Sequence, residues 1–161
     1  PRVDAALMLR VAGDIARAVS VEGMIGGQAA DVIYQGKEIE PALLDYIHSN
    51  KTAALIRVSA RAGAIMGGGS EDQIEAISQY GNNVGFAFQI VDDLLDFSPS
   101  GEREGSDQKL GKATYPAIHG VDKSRETVKQ LIEEALARLS SFGPAADPLR
   151  CLARFLAARE N

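Results

Sequence analysis

An all-α helical bundle is the fold class this sequence predicts, on three observations. Apolar residues recur at three- and four-residue steps through nearly the whole chain. The intervening positions are rich in alanine, the strongest helix former. No alternating strand pattern occurs anywhere along it. With 161 residues, 45% hydrophobic and 24% charged, residues 1–161 are expected to form a single helical domain able to bury a core.

The elements follow in order. Val3, Leu7, Val11, Ile15, Val19, Met24 and Val32 mark one long helix or two stacked ones, reaching about Gln35. Gly23, Gly26 and Gly27 interrupt the pattern, each about 1 kcal/mol less favourable than alanine in a helix interior, and so predict a kink or a close helix contact. Gln28, Asp31 and Gln35 then share a polar face, either a solvent-facing stripe or part of tight packing beside the glycines. Gly36 and Pro41 punctuate a turn. Leu43, Leu44, Ile47, Leu55, Val58, Ala62 and Ile65 carry a second long helix to Gly67-Gly68-Gly69. Lys51-Thr52 lies in its middle. A lysine among apolar neighbours commonly snorkels to the surface; alternatively, the pair presents an ammonium and a hydroxyl to one phosphate.

Ser70 with Gln73 is a capping-box pattern. It opens a third helix through Ile74, Ile77, Tyr80, Val84, Ala87, Val91 and Leu95. Ser98 to Ser106 is a polar loop that could act as a lid. Asp107 to Pro116, with Lys109 and Lys112, predicts neither helix nor strand of any length. Asp122 is expected to cap a helix to about Ser140. Gly143-Pro144 ends that helix, and Asp147 as cap with Pro148 in the first turn starts the last one.

Net charge is −5 with no long single-sign run, which argues against nucleic-acid binding. The lone Cys151, among Leu149, Leu152 and Phe155, is expected to be a small core hydrophobe in a reducing compartment. His48 and His119 stand far apart in sequence, so a zinc site is not expected. No apolar run approaches the roughly 20 residues of a membrane span, and no signal-peptide pattern is seen. A cytoplasmic location is therefore expected. The chain opens Pro1-Arg2-Val3-Asp4 without an initiator Met, as a processed end, an expression boundary or a fragment would.

The chemistry concentrates between Phe86 and Phe97. Gln89, Asp92, Asp93 and Asp96 form one polar stripe on a helix, while Ile90, Val91, Leu94 and Leu95 look elsewhere. Like charges at these spacings destabilise a helix by roughly 0.2–0.5 kcal/mol per pair, so a cation is expected to offset them. Mg2+ suits carboxylate oxygens, and it commonly takes one or two protein carboxylates plus substrate phosphates and water. A solvated acidic patch is the alternative, placed poorly at the negative end of a helix dipole. Gln28 and Asp31, Lys51 and Thr52, the acidic stripe, and Lys109 with Lys112 together suit Mg2+ and a polyphosphate. No Ser, Cys or His nucleophile is paired for covalent catalysis. Departure of a phosphate-type leaving group, with ions and lysines stabilising the developing charge, is the chemistry that remains.

Four stretches carry a family resemblance: Gly26-Gly27-Gln28-Ala29-Ala30-Asp31, Lys51 to Arg57, Gly85 to Asp96, and Gly105-Ser106-Asp107 through Lys112 to Pro116. In this order and spacing the chain resembles the C-terminal half of the trans-isoprenyl diphosphate synthases (polyprenyl synthetases), particularly the bacterial farnesyl and geranylgeranyl type. The resemblance implies a homodimeric helical prenyltransferase. In such enzymes an allylic diphosphate ionises with help from Mg2+, and the double bond of isopentenyl diphosphate attacks the carbocation. Asp92, Asp93 and Asp96 match the second aspartate-rich motif and would be catalytic and metal-binding, with Asp92 and Asp96 nearest the metal. Lys51, also counted as catalytic, matches with Thr52, Gln89 and Lys112 the residues that hold the allylic diphosphate. Gln28 and Asp31 match pocket-lining support. The first aspartate-rich motif and the N-terminal residues that hold isopentenyl diphosphate have no counterpart here, so the isolated chain is expected to be inactive. Glu102 stands where many relatives have lysine, and the adjacent Arg103 is a candidate substitute. A non-catalytic small subunit of a heteromeric synthase, a terpene cyclase and a plain helical scaffold are the alternatives. Joint presence of Lys51, Asp92, Asp93, Asp96 and Lys112 favours the enzyme.

Overall fold

The computed structural model describes residues 4–97 and 113–159, and every regular element among them is helical. Helices α1 (Ala5–Val19) and α2 (Met24–Ile33) are separate. Asp4 caps α1, its carboxylate accepting from the Ala6 N–H at 2.8 Å. Of the three glycines expected to interrupt the pattern, Gly23 stands at the boundary, whereas Gly26 and Gly27 lie inside α2.

Helix α3 (Pro41–His48) begins with proline, where the missing N–H would have had no helical partner. The second long helix does not continue as a regular α-helix. Ser49–Ala53 is a π-helical segment, after which α4 (Ala54–Met66) resumes the ordinary pitch. Lys51 and Thr52 stand in this wider turn, a distortion frequent at functional sites.

Helix α5 (Glu71–Asp96) is the axis of the molecule, 26 residues and therefore about 39 Å long. Its capping box forms as predicted: Gln73 N–H donates to Ser70 Oγ at 3.3 Å, and Ser70 N–H donates to Gln73 Oε1 at 2.9 Å. The sequence did not signal the short α6 (Tyr115–His119), whose first two residues end the stretch where no lasting element was expected. Helix α7 (Val121–Arg138) and a 3-10 turn (Pro144–Ala146) lead to α8 (Asp147–Ala158). Asp122 and Asp147 were expected as caps, but both lie in first helical turns, with Gly120 and Ala146 flanking. There they still meet the positive end of the dipole, and Asp147 pairs with Arg150 at 2.7 Å.

The core lies between α5, α7 and α8. Tyr80, Val84, Ala87, Ile90 and Val91 of α5 meet Val128, Ile132 and Ala135 of α7, Leu139 beyond it, and Ala153 and Leu156 of α8. Tyr80 donates its hydroxyl to the Leu149 carbonyl at 2.7 Å, tying α5 to α8. Burial pushes the Tyr80 phenol up to about 12. Cys151 is not a core residue: it is exposed, as are Leu152 and Phe155. Ala153 and Leu156 face inward, and two residues along a helix is a half-turn, so Cys151 faces away.

Two close approaches set the geometry around the π-helical segment. A Cβ on Gly27 of α2 would collide with the Lys51 backbone nitrogen and lie 2.9 Å from the Asn50 carbonyl carbon. A Cβ on Gly85 of α5 would lie 2.7 Å from Ala53 Cα. Glycine at both positions lets α2 and α5 press against the segment from either side.

Candidate functional site

The Lys51-Thr52 pair is anchored to both neighbouring helices. Lys51 Nζ donates to Asp31 Oδ2 of α2 at 2.8 Å, with the lysine side chain 31% exposed and the aspartate 13%. The ammonium is thus held by a carboxylate rather than left to snorkel, and an ammonium retains further donors for a ligand. Thr52 Oγ1 donates to Gln89 Oε1 of α5 at 2.8 Å. This bond joins the π-helical segment directly to the helix that carries the aspartates.

The polar stripe of α5 straddles the boundary between solvent and core. Asp92 is exposed and Asp96 half-buried, one turn apart on the same face. Asp93 is only 3% exposed. Its Oδ1 accepts from Gln89 Nε2 at 3.3 Å, while Oδ2 accepts from the Tyr115 N–H at 2.7 Å and lies 3.4 Å from His48 Nε2. Adjacent helical residues point about 100° apart, which separates the environments of Asp92 and Asp93 although the spacing first groups them.

Among the other anticipated residues, Gln28 is exposed on α2. Lys112, Lys109, Glu102 and Arg103, with the candidate lid, lie outside the described residues. Both histidines enter the neighbourhood, contrary to their separation in sequence. His48 stacks on the Tyr115 ring with centroids 6.0 Å apart, and His119 lies 4.3 Å from the same ring. Phe86 meets His48 edge-on at 5.8 Å. Burial is the main cause that holds the Tyr115 phenol above its ordinary range, with the Asp45 charge adding to it; a Thr127 hydrogen bond and Lys123 oppose the shift. His48 could have been noticed because it stands three residues before Lys51, adjacent to the π-helical segment.

Among the described residues no three His, Cys, Asp or Glu side chains are grouped to hold a metal. Among the described residues, the carboxylates of Asp92 and Asp96 suit the donor set of Mg2+ when a substrate phosphate and water complete the shell. Asp93, 3% exposed and with both oxygens met by protein groups, fits a structural role.

The chain matches the family profile described as Polyprenyl synthetase over residues 12–143. It belongs to the polyprenyl synthetase family. Polyprenyl synthetase relatives include a geranylfarnesyl diphosphate synthase, chloroplastic, of Leucosceptrum canum, 42% identical over 162 residues, covering 96% of this chain and 44% of the relative. A dimethylallyltranstransferase of Fischerella ambigua is 40% identical over 164 residues, covering 99% of this chain and 47% of the relative. Among solved structures, an FPP/GFPP synthase from Zymomonas mobilis superposes with a TM-score of 0.85 at 34% identity, covering 96% of this chain and 52% of that one. The chain therefore spans about half the length of the polyprenyl synthetases it matches.

Proposed function

We propose that this chain provides the second-aspartate-motif half of an isoprenyl diphosphate synthase, the half that holds the allylic diphosphate. The observation that carries this reading is the 2.8 Å Thr52–Gln89 hydrogen bond, which couples the Lys51-Thr52 segment to the carboxylate helix. Lys51, steadied by Asp31, presents an ammonium to diphosphate oxygens. Gln89, whose amide keeps one N–H beyond the one given to Asp93, adds an amide contact, with Thr52 orienting it; Lys112 adds a second ammonium and Gln28 support at the rim. Asp92 and Asp96 would hold Mg2+, which when bound supplies Lewis-acid stabilisation of the charge on the departing diphosphate. Isopentenyl diphosphate would be the second substrate, a homodimer the assembly, and a reducing, cytoplasmic compartment the setting. Membership of the family supports the prenyltransferase class. Among the described residues no helix is long and apolar enough to cross a membrane.

Isothermal titration of the chain with an allylic diphosphate, with and without Mg2+, tests the proposal alongside Asp92→Ala. Metal-dependent binding in the parent and its loss in the variant is the expected result. Absence of binding in both proteins would overturn it and favour a non-catalytic subunit.

A further inference from the structure

We propose that Asp93 is a positioning residue, a buried clamp that holds the π-helical segment, α5 and the start of α6 in one geometry. It rests on the diphosphate-site reading above, and it assigns Asp93 a task different from that of Asp92 and Asp96. A carboxylate at 3% exposure requires partners for its oxygens. Each partner belongs to a different part of the site.

On Oδ1 the partner is Gln89 Nε2 at 3.3 Å. Gln89 can donate there while its Oε1 accepts from Thr52 only in one orientation of the amide, so Asp93 selects that orientation and through it fixes the Thr52 hydroxyl. On Oδ2 the partner is the backbone N–H of Tyr115 at 2.7 Å. That group opens α6, where N–H groups have no intrahelical partner. The Nε2 of His48 stands 3.4 Å from Oδ2, and His48 is the last residue of α3 before the segment that bears Lys51. Phe86 and Tyr115 pack on its imidazole and restrict the ring. One carboxylate is thus shared by α5, the start of α6 and the end of α3, next to the segment that bears Lys51 and Thr52.

A clamp and a metal ligand respond differently to removal of charge without loss of volume. The probe is inorganic pyrophosphate, titrated into the full chain with no metal and with saturating Mg2+, together with amide hydrogen exchange at Tyr115. In Asp92→Asn, Mg2+ enhancement of affinity should vanish, with Tyr115 protection unchanged. In Asp93→Asn, the enhancement ratio should persist, metal-free affinity should fall roughly tenfold or more, and Tyr115 exchange should accelerate by a similar factor. Loss of the Mg2+ enhancement in Asp93→Asn would make Asp93 a ligand and overturn the proposal. Unchanged affinity and unchanged exchange would overturn it equally. If Asp93→Asn does not fold, His48→Gln applies the same criteria to affinity: a lower metal-free affinity at constant enhancement supports the clamp, and parental values refute it. A parent chain that binds no pyrophosphate would sink the diphosphate-site reading, while Tyr115 exchange in Asp93→Asn would still decide the clamp.

Discussion

Lys51 illustrates how a single residue acquires meaning from its partner. Sequence left it between a snorkelling surface lysine and a phosphate ligand; the 2.8 Å contact with Asp31 shows a side chain held in place across helices. Substituting Lys51→Met removes a charge-assisted contact, and calorimetry should find diphosphate affinity lower by roughly 10–100-fold, the range implied by about 1.5–3 kcal/mol for a hydrogen bond to a charged group. Parental affinity in that variant would exclude Lys51 from the site. The acidic stripe makes the same point. Its composition and spacing were legible, yet the different surroundings of Asp92 and Asp93 arise because the boundary of the core passes between them. Helical phase could have suggested the division, but the position of that boundary depends on α3 and α6.

Elements were easier to read than their interruptions. The capping box at Ser70 and the three- and four-residue periodicity are local signals, and α5 forms where they place it. The π-helical segment at Ser49–Ala53 has no composition of its own and depends on the glycine contacts on either side. Gly85→Ala should destabilise the fold by about 1–3 kcal/mol, the usual range for overpacking, read as a lower midpoint in urea. Gly13 provides the control: it lies within exposed α1, where a Cβ would meet nothing within 4 Å. Gly13→Ala should therefore raise stability by about 0.5–1 kcal/mol. Equal effects at the two positions would refute the close approach of α5. The contact between α5 and α8 has its own test in Tyr80. Its phenol is raised to about 12 in the fold, whereas an unfolded tyrosine titrates near about 10. The stabilising contribution is thus complete below about pH 10 and disappears as pH rises through 12. Tyr80→Phe should be less stable at neutral pH by about 0.5–1.5 kcal/mol and should show a flatter alkaline loss in chemical denaturation at several pH values.

At the scale of the whole molecule, apolar periodicity identifies a face but not what covers it. Ile15, Val32, Leu55 and Leu95 belong to the expected buried series yet are 41%, 59%, 40% and 46% exposed, and Cys151 faces outward with Leu152 and Phe155. The same pattern is buried at Val91, Val128 and Leu156, where another helix lies against it. What the sequence by itself determined was the all-α class, the major helical tracts, and the family through four ordered motifs, because these depend on local propensity and on residue order. Only the tertiary structure decided that Lys51 meets Asp31, that Thr52 meets Gln89, and that Asp93 gathers His48 and Tyr115. Each of those contacts joins residues at least 20 positions apart. Their formation depends on the glycine-permitted approach of whole helices, a property that no short stretch of sequence contains.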